Sequence, residues 1–141
     1  MPAYQTTYTA APASGYAGMI ADETSHTIMS KRITNSAVGF GLAVSRGAAD
    51  GTSRLGGTIY DGITVADKAD GDASYAIDEI AGVMVVGTIW VIASNNVTPA
   101  DAPTFTLATG VIGAGLVTAI PNARFLNTAT AGNLVQLQLL G

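Results

Sequence analysis

Cysteine is absent from the 141 residues. That removes disulfide staples, thiolate nucleophiles and zinc–thiolate sites together. Charge is scarce as well. Charged residues make up 11% of the chain, against about 25% in ordinary soluble domains. A surface so poor in charge is not left wholly to water, and a membrane or extensive contact with protein partners is the remedy. A long hydrophobic run is missing too. The uncharged stretch Ile80–Ala100 has an apolar part, Val83–Ala93, about half the ~20 residues that a spanning helix needs. The N-terminus lacks the basic start and continuous apolar core of a signal peptide. The sequence is therefore expected to be a soluble, unprocessed protein with no membrane partner. Basic residues number six, the net charge is −4, and only Lys31 and Arg32 are adjacent. Phosphate binding needs clustered Lys and Arg, so no nucleic-acid partner is expected.

What the chain has in quantity is glycine, 17 residues, with Val, Ile and Thr dominating its apolar stretches. That composition favours pleated strands over helices. "HTIMSKRI" reads as a short strand or an edge, and "SAVGFGLAVS" (36–45) as a strand interrupted by Gly39 and Gly41. "RGAADGTSRLGG" (46–57) reads as a loop. "TIYDGITVAD" (58–67) gives two strand pieces broken at Asp61–Gly62, and "KADGDASY" an acidic turn. "GVMVV" and "TIWVIA" flank Gly87 as one long bent strand or a tight pair. "TFTLATG" and "NLVQLQLL" alternate with period two, the latter well enough to close a sheet. Short strands joined by turn signals predict a single all-β domain, either a jelly-roll-like sandwich or a small β-barrel. Patterning begins only near Asp22. The expected organisation is an extended N-terminal arm, residues 1–21, followed by one β-rich body, 22–141.

His26 is the single histidine, following "DETS". A triad would take Ser25 or Ser30 as nucleophile and Asp22 or Glu23 as orienter, but neighbouring strand residues face opposite ways, so an exposed or capping histidine is expected. "GVIGAG" (110–115) and "GFG" (39–41) lack the helix start and downstream acid of a dinucleotide site. Asp61, Asp67, Asp70 and Asp72 do not match an EF-hand spacing and read as a solvated turn, so no metal or cofactor is expected. Trp90, between β-branched neighbours, is read as a core anchor. These sites do not compose an enzyme. Charge is also uneven. Residues 61–79 carry six acids against Lys68, while 80–141 hold only Asp101 and Arg124.

The opening "MPAYQTTYTAAPASGYAGMIAD" places Tyr4, Tyr8 and Tyr16 in 21 uncharged residues. Together with "AVGFGLAVSRG", "GITVAD", "VMVVGTIWVIA", "VTPAD", "PNARF" and "LVQLQL", it resembles the capsid cement (decoration) proteins of tailed bacteriophages over nearly the whole length. "ADAP" (100–103) stands where that pattern would have a Gly-Asp turn. The resemblance implies a jelly-roll-like or barrel-like body, present in many copies on the outer surface of the capsid and made in the host cytoplasm. The implied partners are the phage major capsid protein and other copies of the chain, as dimer or trimer. The implied role is to bridge capsid subunits and hold the particle against internal DNA pressure. Tyr4, Gln5, Tyr8, Tyr16 and Met19 would form the binding arm. Burying tyrosines alone does not offset the backbone entropy of ordering about twenty residues, so the arm should also pair its backbone as a strand added to a neighbour, with oligomeric avidity helping. Two other readings fit the composition: a small tail or fibre β-domain, and a carbohydrate-binding β-barrel using Trp90, Tyr60 and Tyr75.

Overall fold

The computed structural model describes residues 16–21, 26–66 and 74–140. Among the described residues there are twelve strands and no helix. Five strands close a barrel: β1 (Thr27–Ile33), β4 (Thr52–Arg54), β3 (Ala43–Arg46), β5 (Tyr60–Thr64) and β7 (Ile80–Ile92). The ring is completed because β1 pairs in parallel with β4 and antiparallel with β7. Of the two expected architectures, the barrel is the one formed. Beyond it, β12 (Leu134–Leu140) extends the sheet along the second half of β7, and β11 (Ala123–Phe125) pairs with β12. A small sheet of β10 (Thr118–Ala119), β8 (Pro103–Phe105) and β9 (Ile112–Ala114) completes the body with the pair β2 (Val38–Gly39) and β6 (Ser74–Tyr75).

Two apolar clusters result from the alternation of these strands. Ala43, Ile63 and Met84 are register partners on β3, β5 and β7. They pack into the larger cluster with Ile89, Val91, Phe105, Phe125 and Leu137. The opposite row, Val44 and Val83, joins Ile33, Val38, Tyr75 and Ala81 in the smaller one. Gly62 sits in that row because a Cβ there would lie 2.4 Å from a Val83 methyl.

The "VMVVGTIWVIA" stretch is one long strand, and it changes phase part-way. Met84 faces the larger cluster, yet so do Ile89 and Val91, which are of the other parity. The change is made where Thr27 and Ile28 of β1 register with Val86 and Met84, leaving an extra residue at Val85. Such a bulge kinks a strand and re-aims its side chains. Gly87, at φ 131°, follows directly; a Cβ on it would meet the His26 Cβ at 2.6 Å.

Three sequence expectations differ from this structure. The 46–57 stretch contains β4, because the glycines around it bend the chain into a hairpin with β3. Asp61–Gly62 does not break a strand but lies within β5. The 36–45 stretch is two strands, β2 and β3, separated at Gly41, whose φ is 71°. Most of the 68–75 acidic turn, with Asp70 and Asp72, lies outside the described residues, as does Asp67 before it, and its end, Ser74–Tyr75, is strand β6.

Candidate interaction groove

The body offers two features for contact: the point where the arm joins it and a groove on the barrel wall. At the first, Gly18 N–H donates to Trp90 O at 2.8 Å, and Trp90 N–H donates to Met19 O at 2.9 Å. Ala21 N–H donates to Thr88 O at 2.9 Å, and Ile20 bridges Ile89 antiparallel. Gly18–Ala21 therefore lie antiparallel along β7, bridged at Ile20, and the chain turns just before them, where Met19 N–H donates to Tyr16 O at 3.0 Å. Gly18, at φ 83°, also accepts from Ala66 N–H, and a Cβ on it would lie 2.7 Å from that nitrogen. Met19 thus contributes its carbonyl, whereas Tyr16 ends the described segment with its side chain 39% exposed. Trp90 is 7% exposed and supplies both N–H and C=O to the arm. Tyr4, Gln5 and Tyr8 lie outside the described residues.

The groove, of about 400 Å³, is lined from β1, β3, β5, β7 and β12, with Pro121 from the turn before β11. Met29, Val85, Val86, Pro121 and Leu139 form its apolar wall. Both bulge valines are among them, half-buried, and Met29 is 46% exposed. Its polar end is formed by Lys31, Arg46, Tyr60 and Asp61. Asp61 accepts a hydrogen bond from the Ser53 hydroxyl of β4. Its carboxylate lies 3.7 Å from Lys31 Nζ and 3.8 Å from Arg46 Nε. One 6%-exposed acid therefore ties β1, β3, β4 and β5 together. Beside it, burial pushes the Tyr60 phenol far above its ordinary pKa, and the Asp61 charge adds to the rise. The Tyr60 ring packs edge-on against Phe105, with centroids 5.6 Å apart. Its hydroxyl has no hydrogen-bond partner among the described residues.

Other sequence candidates fall elsewhere. His26 is exposed just before β1, while Asp22, Glu23 and Ser25 lie outside the described residues. Among the described residues no group of three acids, histidines or cysteines is placed to hold a metal. Trp90 and Tyr75 are 7% and 4% exposed. Together with the packed Tyr60, they present no aromatic platform for a sugar. The groove itself escaped sequence reasoning, because its residues come from six separate stretches. The one available signal was an acid inside a strand-like run, "TIYDGIT", which needed a buried partner.

A closed barrel that takes up its own N-terminal segment, beside a half-apolar groove, has the fold of phage-head structural modules. It matches a chain of the capsid of Myoviridae phage XM1 with a TM-score of 0.74 at 16% identity, covering 99% of this chain and 98% of that one. The head fibre gp8.5 N base of bacteriophage phi29 matches with a TM-score of 0.56 at 17% identity, over 82% of this chain and 94% of that one. No curated protein sequence matches. The family is set by the sequence itself: residues 4–140 match the structural cement protein family (E217 gp24/Pam3 gp6), and the chain belongs to it. Its role is structural and associated with a phage capsid.

Proposed function

We propose that the chain binds the outer surface of a phage capsid, bridges major capsid subunits and stabilises the particle against internal DNA pressure without catalysing a reaction. The family match over 4–140 carries this reading. The body supports it physically. Only Asp101 and Arg124 are charged in 80–141, which suits broad contact with protein rather than water. The arm, with Tyr4, Gln5 and Tyr8 at its far end and Tyr16 and Met19 at its root, reaches the capsid or a neighbouring copy. Its contacts are apolar and strand-like, since it has no charge to steer it.

The test is occupancy of expanded capsids stripped of this protein. Wild-type chain should sediment with them and raise the temperature at which they release DNA. Tyr4→Ala with Tyr8→Ala should lower occupancy at limiting concentration by more than about 30-fold in affinity, the loss expected for an interface anchor. Unchanged occupancy and burst temperature across a salt series would remove the arm from the mechanism. Failure of the wild type to bind would remove the cement role itself.

A further inference from the structure

Strand β1 is longer than the neighbour that closes the barrel against it. β4 pairs with it only at Arg32 and Ile33, whereas β7 follows it from Thr27 to Arg32. Successive residues of a strand aim their backbone groups at opposite edges. Ile33 N–H donates to Glu79 O on the β7 side, and Arg32 N–H donates to Gly51 O on the β4 side. By that alternation Ile28 and Ser30 turn their N–H and C=O away from β7, towards the flank where β4 has not yet begun. Among the described residues nothing pairs with them there. Thr27, Ile28, Met29 and Ser30 are all exposed, so both faces of the strand are open as well as one edge. An unpaired edge of this kind is a template for a further strand. The stretch Thr27–Lys31 offers about 16 Å of it.

The groove beside that edge sets what fits it. Met29 and Lys31 register with Val83 and Ala81 of the smaller cluster, so their side chains face the barrel mouth. The groove holds two cations, Lys31 and Arg46, against the single carboxylate of Asp61. Asp61 is 6% exposed and already engaged by Lys31 and the Ser53 hydroxyl, while Arg46 remains 67% exposed. One positive charge is therefore left over at the open rim, beside the apolar wall that begins at Met29. An added strand answers it with one acidic side chain turned to the mouth and an apolar side chain two residues away. A second copy does not supply this. Pairing β1 with β1 would set Lys31 and Arg46 of both copies along one seam, and like charges oppose such pairing. The far edge of the same sheet, β11, carries Arg124 and no acid.

We propose that β1 is a docking edge, and that an extended, acid-bearing segment of the major capsid protein adds to it along Thr27–Lys31 with its carboxylate on Arg46. This rests on the reading of the chain as a capsid-binding protein and names the surface of the body that binds. The test uses the full-length chain and expanded capsids stripped of it. Ser30→Pro removes an N–H that the β7 ladder does not use, and proline is tolerated on an edge facing outwards. Its affinity for the capsids should fall by about 10-fold or more, because a carbonyl of the added strand loses its donor. Ser30→Ala keeps that N–H and should lose far less. Arg46→Gln should lower affinity by about 5-fold at low salt, and its gap from wild type should close as salt rises. An unchanged β-type circular dichroism spectrum and melting temperature show that each variant folds. The absence of cysteine gives a readout independent of the proline. Met29→Cys, labelled with a photoreactive maleimide and bound to capsids, should crosslink to an acid-containing peptide of the major capsid protein, identified by mass spectrometry. Wild-type affinity of folded Ser30→Pro or of Arg46→Gln would overturn the proposal. Crosslinks to a second copy alone, or none on occupied capsids, would overturn it too. Each of those results leaves the cement role standing, whereas a wild-type chain that does not bind stripped capsids removes both.

Discussion

Asp61 and Tyr60 are neighbours in sequence with opposite electrostatic situations. Asp61 is buried but compensated by Lys31, Arg46 and the Ser53 hydroxyl. Its replacement by alanine leaves Lys31, at 19% side-chain exposure, without its counter-ion and Ser53 without its acceptor. Arg46 is 67% exposed and loses little. The expected cost is about 2 kcal/mol, below that of a fully buried pair because solvent reaches both cations. Urea unfolding at constant m-value checks it. Tyr60 carries the opposite liability, a buried hydroxyl without a partner. Its folded pKa lies above the ordinary value of 10.0, so above pH 10 the unfolded chain releases a proton that the folded chain keeps. Stability then falls as pH rises. Tyr60→Phe should raise stability at neutral pH by up to about 1 kcal/mol and flatten the loss above pH 10, measured as a pH series of unfolding midpoints. A variant that parallels the wild type through that range would show that this phenol does not titrate as its burial requires. At this scale the sequence was least informative. Asp-Gly is turn chemistry by residue type, and only the cross-barrel cations turn it into the middle of a strand.

Strands with strong patterning were legible: β12 from its alternation, β1 within "HTIMSKRI", and β7 around Gly87, where the long bent strand rather than the tight pair is formed. β4 was not, because three residues between glycine-rich bends have no period to detect and are held by partners on either side. The segment that the arm lays along β7 was equally hidden. "GYAGMIA" has no alternation, and its place is fixed by backbone bonds to Thr88 and Trp90 rather than by side chains. A chain beginning at Asp22 forfeits the Gly18, Met19 and Ala21 hydrogen bonds and uncovers the larger core where Ile20 packs. Thermal and urea unfolding should remain cooperative but lose roughly 3–5 kcal/mol. A chain beginning at Tyr16 should match the full-length protein. Equal stability of the two truncations would show that the segment from 16 to 21 contributes nothing to the body.

For the whole molecule, the fold class and the need for partners could be read from composition, because scarce charge, no cysteine and abundant β-branched residues all constrain the surface and the core together. The closure of the barrel could not. It depends on β1 finding β4 on one flank and the first half of β7 on the other. That closure also sets an order of events. The ring cannot be completed until Ile80–Val86 has been synthesised, about fifty residues after β1, and pairings so distant in sequence form slowly. Residues 18–21 have no strand to join until Thr88–Trp90 exists. A segment made before β1 is therefore placed only once the barrel's last strand has been made.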